Sequence, residues 1–170
     1  MLLTGAARGL GRVTAQAFAR EGAKVVVADI DEAGGQATMS LIRDEGAEAL
    51  FIRADVGTES DVAALIDKTV DAYGRLDCAV NNAGVVRFTP LVEETAAGFD
   101  FHLHTNLRGV FYCMKHEIRQ MLKNGGGAIV NQSSITGSPT GNPGETAYAV
   151  TKGGVDGLTR SAHSKSPSAT

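Results

Sequence analysis

The sequence contains no tryptophan, and aromatic residues make up only 5% of it. Side chains on which nucleic-acid bases stack are therefore scarce. The formal net charge of −3 also provides no basic surface for a phosphate backbone or an anionic membrane. We therefore expect neither a nucleic-acid partner nor binding to a membrane surface.

Cysteine is equally rare, since only Cys78 and Cys113 are present. Both lie in apolar stretches and no C-x-x-C spacing occurs, so we expect two buried, reduced thiols and neither a disulfide nor a zinc site. The histidines have no metal-ligand spacing with acids or cysteines. They are His102, His104, His116 and His163, and we expect no metal site among them.

Long hydrophobic runs are absent as well. No apolar stretch approaches the roughly 20 residues that a membrane-spanning helix needs. The N-terminus also has no basic segment followed by an apolar run, as a signal peptide would have. With a hydrophobic content of 43% and a charged content of 21%, the composition predicts a cytoplasmic globular protein.

Short apolar runs alternate with segments of helical periodicity along the chain. This alternation predicts an α/β fold, a Rossmann-like doubly wound parallel sheet in three α/β/α layers. The expected strands are 1–4, 24–29, 49–55, 76–81 and 128–132, and the expected helices are 11–21, 31–45, 58–74, 95–123 and 146–162. We expect one domain over 1–162, followed by a disordered polar tail over 163–170.

Two of the expected helices begin with a capping signal. Thr58 and Asp61 have the spacing of a capping box, in which each side chain bonds to the backbone of the other residue. Thr95 is a candidate N-cap for the long helix after it. In a doubly wound sheet, ligands bind beyond the carboxyl ends of the strands, so the loops that begin at Thr4, Asp29 and Ser133 are among those expected to form a site.

The first of these loops is rich in glycine and reads T-G-A-A-R-G-L-G over residues 4–11. Gly5 would allow a sharp turn, while Gly9 and Gly11 would let the backbone approach a pyrophosphate and pack closely against the sheet. The helix that follows would direct its positive end at that anion. Alternatively, the loop is only a tight connection between a strand and a helix.

Asp29 strengthens the nucleotide interpretation of the glycine loop. It ends the second strand about 20 residues further on, where an acid accepts both ribose hydroxyls of NAD and repels the 2′-phosphate of NADP. Arg8, inside the loop, would instead favour that phosphate. We favour NAD over NADP, because Asp29 occupies the ribose position itself; by itself, the acid could also be a solvated strand end.

Several motifs together resemble those of the short-chain dehydrogenase/reductase family, over about residues 2–162. They are the loop 4–11, the sequence N-N-A-G at 81–84, the serine pair 133–134 and the sequence Y-A-V-T-K at 148–152. Asp55, Val56 and Asn106 also look like family positions. The resemblance implies cofactor contacts from Gly5, Ala7, Arg8, Gly9, Leu10, Gly11, Asp29, Ile30, Asp55, Val56, Asn82, Ala83, Gly84, Tyr148 and Lys152.

The chemistry that these motifs imply centres on Tyr148 and Lys152, which are four residues apart and share one face of a helix. A free phenol ionises near pH 10, and a nearby ammonium favours the phenolate, so Tyr148 becomes a candidate acid/base. By itself, this spacing would more often be a pair of surface residues on a helix. Ser134 would orient the substrate oxygen, although a serine after a strand is often a turn residue.

The resemblance assigns two further roles that have structural alternatives. Asn106 would hold a water that links Lys152 to solvent, or it could be a buried polar residue that bonds to neighbouring backbone. Asn82, Ala83 and Gly84 would contact the adenine ribose. Asp55 and Val56 would contact adenine, although Asp55 could also be an acid at the start of a loop.

The chain departs from the family after the tyrosine–lysine helix. The family continues with a sixth strand and a substrate-covering segment, so we expect this chain to be truncated at its C-terminal end and its fifth strand to have an unpaired edge. Two functions therefore remain open. One is an NAD(P)-dependent oxidoreductase of secondary alcohols or ketones, with a small-molecule substrate and homo-oligomeric assembly; the other is an inactive fragment that binds a dinucleotide or a partner subunit.

Overall fold

The computed structural model describes residues 1–162, and the prediction of a tail over 163–170 lies outside the described residues. Within these residues there are five strands: β1 Leu2–Thr4, β2 Val25–Asp29, β3 Ala49–Arg53, β4 Cys78–Asn81 and β5 Ala128–Asn131. Six α-helices are described: α1 Gly9–Arg20, α2 Glu32–Asp44, α3 Glu59–Tyr73, α4 Ala96–His102, α5 Gly109–Lys123 and α6 Thr146–Ser161. A 3₁₀ turn covers Leu91–Glu93, and a π-helical segment, Leu103–Arg108, joins α4 to α5.

The strands form one parallel sheet in the order β3-β2-β1-β4-β5. From β1 the chain builds outward to β3, then returns to place β4 on the other side of β1. Thr4 therefore lies in register between Ala28 of β2 and Asn81 of β4. This Rossmann-like α/β fold confirms the predicted fold class, and the reversal of strand order locates the crevice in which such folds bind ligands.

Both faces of the sheet are covered, which explains why β2 reads as an unbroken apolar run. Val25 and Val27 point to one face and pack in the same core as Ile42 of α2. Val26 points to the opposite face and packs in the same core as Leu65 of α3. Because successive side chains of a strand alternate between faces, a strand buried on both sides has no polar face.

The structure corrects one predicted helix start and one predicted capping interaction. Helix α1 begins at Gly9, not at residue 11, because glycine carries no helix signal from which a start could be read. The capping box before α3 does not form: the side chain of Thr58 makes no capping bond, and Asp61 Oδ2 instead accepts from the backbone N–H of Asp55 at 3.1 Å. Thr95 does cap its helix, since its Oγ1 accepts from Gly98 N–H at 3.0 Å.

The predicted continuous helix over 95–123 is interrupted. It consists of α4, the π-helical segment Leu103–Arg108 and α5. An extra residue in a helical turn changes the direction of the side chains near it, and such segments are frequent at functional sites. Hydrophobic periodicity did not reveal the interruption, because α5 resumes its own buried stripe immediately afterwards.

Strand β5 lies at the edge of the described sheet, as predicted. Val130 in this strand is 52% exposed. One expectation for cysteine is wrong, because Cys78 on β4 is only half-buried, whereas Cys113 is buried as expected. Within residues 1–162, no helix has both the length and the apolar character needed to cross a membrane.

Candidate active site

A cleft of about 430 Å³ opens at the carboxyl ends of the central strands. It is lined by eleven of the residues that the family resemblance implied as cofactor contacts: Gly5, Arg8, Leu10, Gly11, Asp29, Ile30, Asp55, Val56, Asn82, Ala83 and Gly84. Five further residues, which the sequence reasoning did not select, complete its lining: Ala28, Asp31, Ala54, Val85 and Thr105. Ala7, Gly9, Tyr148 and Lys152 lie outside this lining.

The glycine loop of the cleft leaves no space for side chains at two positions. Gly5 has a φ of +67°, and a Cβ there would lie 2.7 Å from the Cα of Ala83. A Cβ on Gly11 would lie 2.0 Å from the carbonyl oxygen of Gly5. The loop therefore packs backbone against backbone, and glycine at these positions is required by the close approach of α1 to β1 and β4.

The N-terminus of α1 is free of side-chain caps. Its N-cap residue Arg8 makes no capping hydrogen bond, and its first turn contains no acid. Leu10 in that turn is 72% exposed at the rim of the cleft. The unsatisfied N–H groups and positive end of a 12-residue helix therefore lie beside the cleft, which is the arrangement that binds phosphate groups.

Asp29 supports the glycine loop from the end of β2. Its Oδ2 accepts from Ala7 N–H at 2.9 Å, and its Oδ1 accepts from Asp31 N–H at 3.0 Å. Ala7 itself is buried, so its connection to the cleft runs through this backbone bond. The carboxylate lines the cleft and keeps lone pairs for further donors, since each oxygen accepts more than one hydrogen bond.

Thr4 and Asn82 join the ends of β1 and β4 under the cleft. The hydroxyl oxygen of Thr4 accepts from the N–H groups of Asn82 and Ala83, both at 3.2 Å. The side-chain amide of Asn82 donates in return to the carbonyls of Thr4 and Gly5, both at 3.0 Å. Sequence reasoning assigned Asn82 to the ribose and missed Thr4, because their bonds join residues 78 positions apart.

Replacing Thr4 with valine is expected to destabilise the fold by about 1–3 kcal/mol. Valine keeps the shape of the buried side chain but leaves the N–H of Ala83 without its acceptor. Urea unfolding would measure the change. Thr4→Ser keeps the hydroxyl and serves as the matched control, so a valine variant as stable as the serine variant would contradict the role of this bond.

Asp55 and Val56 line the cleft at the end of β3. Asp55 Oδ1 accepts from Gly57 N–H at 2.9 Å, and Oδ2 lies 3.1 Å from Nε2 of His104. His104 belongs to the π-helical segment and fills the space over Gly57, where a Cβ would lie 2.1 Å from its ring nitrogen. The sequence predicted an ordinary surface or packing role for His104, and no local pattern indicated its pairing with Asp55.

A second support behind the glycine loop was also missed. Arg12 donates to Thr38 Oγ1 at 2.9 Å and to the carbonyl of Ala7. The hydroxyl of Thr38, which is fully buried on α2, donates to the carbonyl of Ala6 at 2.9 Å. The rear carbonyls of the loop are therefore bound by α1 and α2, leaving its front for a ligand.

Tyr148 and Lys152 lie one turn apart on α6. The ammonium nitrogen of Lys152 lies 5.7 Å from the centroid of the Tyr148 ring and donates to the carbonyl of Gln132 at the end of β5. Lys152 is only 3% exposed. Burial lowers the pKa of its ammonium, and Asp156 opposes that shift through its negative charge. Lys152 is therefore held between helix and sheet, and Tyr148 is partly buried, so the pair does not lie on the open surface.

Asn106 lies in the π-helical segment and is fully buried. Its Oδ1 accepts from Val85 N–H at 2.7 Å, and its Nδ2 donates to Val85 O at 2.8 Å. Both amide groups are thus engaged with neighbouring backbone, which matches the structural alternative for this residue. A Cβ on Gly84 would lie 3.4 Å from Asn106 Oδ1 and 3.8 Å from Lys152 Nζ, so these three residues meet at the cleft wall.

The two serines after β5 have different contacts. Ser133 Oγ donates to the carbonyl of Lys152 at 3.2 Å and ties the strand end to α6. Ser134 Oγ accepts from Thr136 N–H at 3.1 Å, as a turn-forming serine does. The hydroxyl hydrogen of Ser134 makes no bond within residues 1–162 and is free to donate to a ligand oxygen.

Comparison with known proteins finds one family and several similar relatives. The family model described as short chain dehydrogenase matches residues 1–168. An uncharacterized oxidoreductase of Thermotoga maritima is 44% identical over 161 residues, which cover 95% of this chain and 63% of the relative. A cis-4-hydroxycyclohexanecarboxylate dehydrogenase of Sinomonas cyclohexanicum is 43% identical over 162 residues, which cover 95% of this chain and 64% of the relative.

A solved structure is similar over the same region. The crystal structure of levodione reductase superposes with a TM-score of 0.91 at 38% identity, and the match covers 95% of this chain and 63% of the other. The chain therefore spans less than two thirds of the length of each of these relatives.

Proposed function

Because this chain belongs to the short-chain dehydrogenase family, an oxidoreductase family, we propose that it transfers a hydride between the nicotinamide of NAD and a secondary alcohol or ketone. The observation that carries the proposal is the contact at Gly84. This residue lines the cleft, and a Cβ there would lie 3.8 Å from Lys152 Nζ. A nucleotide in the cleft would thus end beside the tyrosine–lysine helix.

The residues of the cleft fit a dinucleotide. Gly5 and Gly11 keep the loop free of side chains where a pyrophosphate would approach the open end of α1. Asp29 would accept the ribose hydroxyls, and Asp55 and Val56 would contact adenine. When bound, the nicotinamide supplies the hydride acceptor or donor, which no amino-acid side chain provides.

The side chains beside the cleft would handle the proton. Tyr148 would accept the hydroxyl proton of an alcohol or return it to a ketone oxygen, with Lys152 stabilising the phenolate. Ser134 would hold the substrate oxygen through its free hydroxyl hydrogen. Asn106 would position Lys152 and the loop at Val85, and any water it holds would have to share an amide already bonded to backbone.

Calorimetric titration with NAD and a dehydrogenase assay test this function together. The assay uses a panel of secondary alcohols, including cis-4-hydroxycyclohexanecarboxylate, and levodione as a ketone for the reverse direction. We expect NAD to bind and at least one substrate to be turned over. Absence of NAD binding would refute NAD as the cofactor, and absence of both NAD and NADP binding would refute the reaction.

A second candidate function is dinucleotide or partner binding without turnover. It is favoured by the open edge of β5, where Val130 is 52% exposed, since no strand among residues 1–162 pairs with that edge. In the same experiment, NAD binding without turnover of any substrate would support this candidate. We also propose that the chain assembles into a homo-oligomer through α5 and α6 and that it is located in the cytoplasm.

Asp29 is expected to set the preference for NAD over NADP. Replacing it with asparagine removes the charge that would repel a 2′-phosphate. Two like charges at contact distance near a protein surface repel each other by a few kcal/mol. We expect the ratio of the NADP and NAD dissociation constants to fall about tenfold, which corresponds to about 1.4 kcal/mol. Titration of both nucleotides measures it.

Asp31 offers a matched control for Asp29. It lines the same cleft and caps α2 by accepting from Gly34 N–H at 3.0 Å. Asp31→Asn makes the same charge change two positions away and should leave the nucleotide ratio unchanged. An equal loss of discrimination in both variants would mean that overall charge, and not Asp29, sets the preference.

A further inference from the structure

A carboxyl group lies buried beneath the sheet, outside the machinery described so far. Glu117 of α5 is fully buried, although the residues before it, Lys115 and His116, reach outward to Glu59 of α3. Glu117 belongs to the buried stripe of α5, four residues after Cys113. A carboxyl group in such a position is stable only with partners for both of its oxygens.

Asn81, at the end of β4, is the partner that the structure provides. Its Nδ2 donates to Glu117 Oε2 and to Asn131 Oδ1, both at 2.9 Å, so both of its N–H hydrogens are used. Asn131 of β5 donates in turn to Thr159 Oγ1 of α6 at 2.9 Å. The polar cluster thus links β4, β5, α5 and α6 at the first asparagine of the N-N-A-G sequence.

Two atoms of this cluster are buried without a partner among residues 1–162. They are Asn81 Oδ1 and Glu117 Oε1, and they belong to the same two groups that already share one hydrogen bond. Both atoms are acceptors if the carboxyl group is ionised, so neither can satisfy the other. One proton on Glu117 Oε1 would turn this orphaned atom into a donor and supply the missing bond to Asn81.

We propose that Glu117 is a neutral carboxylic acid in the folded protein and that its O–H donates to Asn81 Oδ1. The acid and the amide then form a closed pair with two hydrogen bonds, and the fold is stabilised by a proton that the unfolded chain releases. Asn81 lies one residue before Asn82, whose side chain binds the glycine loop. The protonation of Glu117 therefore makes the backbone under the cleft sensitive to pH.

The surroundings of Glu117 agree with this assignment. Burial raises the pKa of its carboxyl group to about 7, and the hydrogen bond from Asn81 only partly opposes that shift. The titratable groups that face it are the thiols of Cys113 on α5 and Cys78 on β4, and burial raises the pKa of both. No cation among residues 1–162 contributes to the shift at Glu117, and its hydrogen-bond partner is an uncharged amide.

The sign of the expected pH effect follows from these values. The carboxyl pKa is raised from its ordinary 4.5 to about 7 on folding. Below about pH 4.5 both states hold the proton, so the stabilisation is complete there. Between about pH 4.5 and about pH 7 only the folded chain holds it, so stability falls as pH rises, and above about pH 7 the loss is complete.

Thermal unfolding of the full chain across pH tests the proposal against Glu117→Gln. Glutamine copies the neutral acid, since its amide donates to Asn81 Oδ1 and its carbonyl accepts from Asn81 Nδ2, but it does not titrate. We expect the Tm of the wild type minus that of the variant to fall by on the order of 5 °C between about pH 5 and about pH 8. Curves that stay parallel would overturn the proposal.

Glu21→Gln makes the same chemical change at an exposed side chain at the end of α1, and it should follow the wild type at every pH. A second readout needs no variant to fold. Infrared spectroscopy of the wild-type chain near pH 5.5 should contain the carbonyl band of one buried carboxylic acid, which disappears as pH rises past about 7. A spectrum without that band would show an ionised Glu117 and refute the proposal.

Discussion

Replacing Tyr148 with phenylalanine is expected to lower turnover by about 10²–10⁴-fold, the range typical of a positioned general acid/base. The change removes only the hydroxyl group and leaves the ring beside Lys152 Nζ, 5.7 Å from its centroid. The dissociation constant of NAD should therefore change little. Steady-state kinetics with any alcohol that the wild type oxidises, together with NAD titration, measures both quantities.

Tyr73→Phe is the matched control for this prediction. Tyr73 ends α3 and packs beside the apolar core, away from the cleft. Its variant should have the turnover of the wild type. If Tyr148→Phe also retained near-normal turnover, the proton would have to be moved by another group and the proposed mechanism would be wrong.

Replacing Gly11 with alanine is expected to cost about 3 kcal/mol of stability and to weaken NAD binding more than about tenfold. The new Cβ would lie 2.0 Å from the carbonyl oxygen of Gly5 and 2.8 Å from the Asn82 side-chain nitrogen. The first of these atoms is backbone, so the loop itself must move, and forced overpacking of this kind costs about 1–3 kcal/mol or more. Urea unfolding and NAD titration would measure the two effects.

Gly157 provides the opposite case on α6. A Cβ there would meet no atom within 4 Å, and the residue is helical. Gly157→Ala should raise stability by about 0.5–1 kcal/mol, because alanine loses less backbone entropy in a helix. An alanine at Gly11 that was tolerated as well as one at Gly157 would show that the loop adapts, which would contradict its rigid role.

Which parts of the site were visible in the sequence depends on the range of the interactions that form them. The glycine loop after β1, the acid at the end of β2 and the four-residue spacing of Tyr148 and Lys152 are local patterns. Each reports a backbone requirement or a shared helix face within a few residues. The alternation of strands and helices is local too, and it predicted the parallel sheet and the strand ends that form the cleft.

The supports of the site were not visible. Thr4 bonds to Asn82 and Ala83, and His104 lies against Asp55, across 49 or more positions of sequence. No periodicity within one element specifies such a partner. The π-helical segment is similar, because it shifts the direction of Asn106 without changing the apolar pattern on either side of it.

By itself, the sequence determined the layers of this protein, the end of the sheet at which its cleft opens and the residues that its family motifs bring there. Only the tertiary structure decided which polar groups bind one another, and Glu117 is the clearest case. In the sequence it is one acidic residue among the basic and polar residues of α5, and in the fold it is fully buried with Asn81 as its hydrogen-bond partner. The reason is physical: local sequence sets backbone preference and burial pattern, whereas the partner and the charge of a buried group depend on the chain segments that surround it.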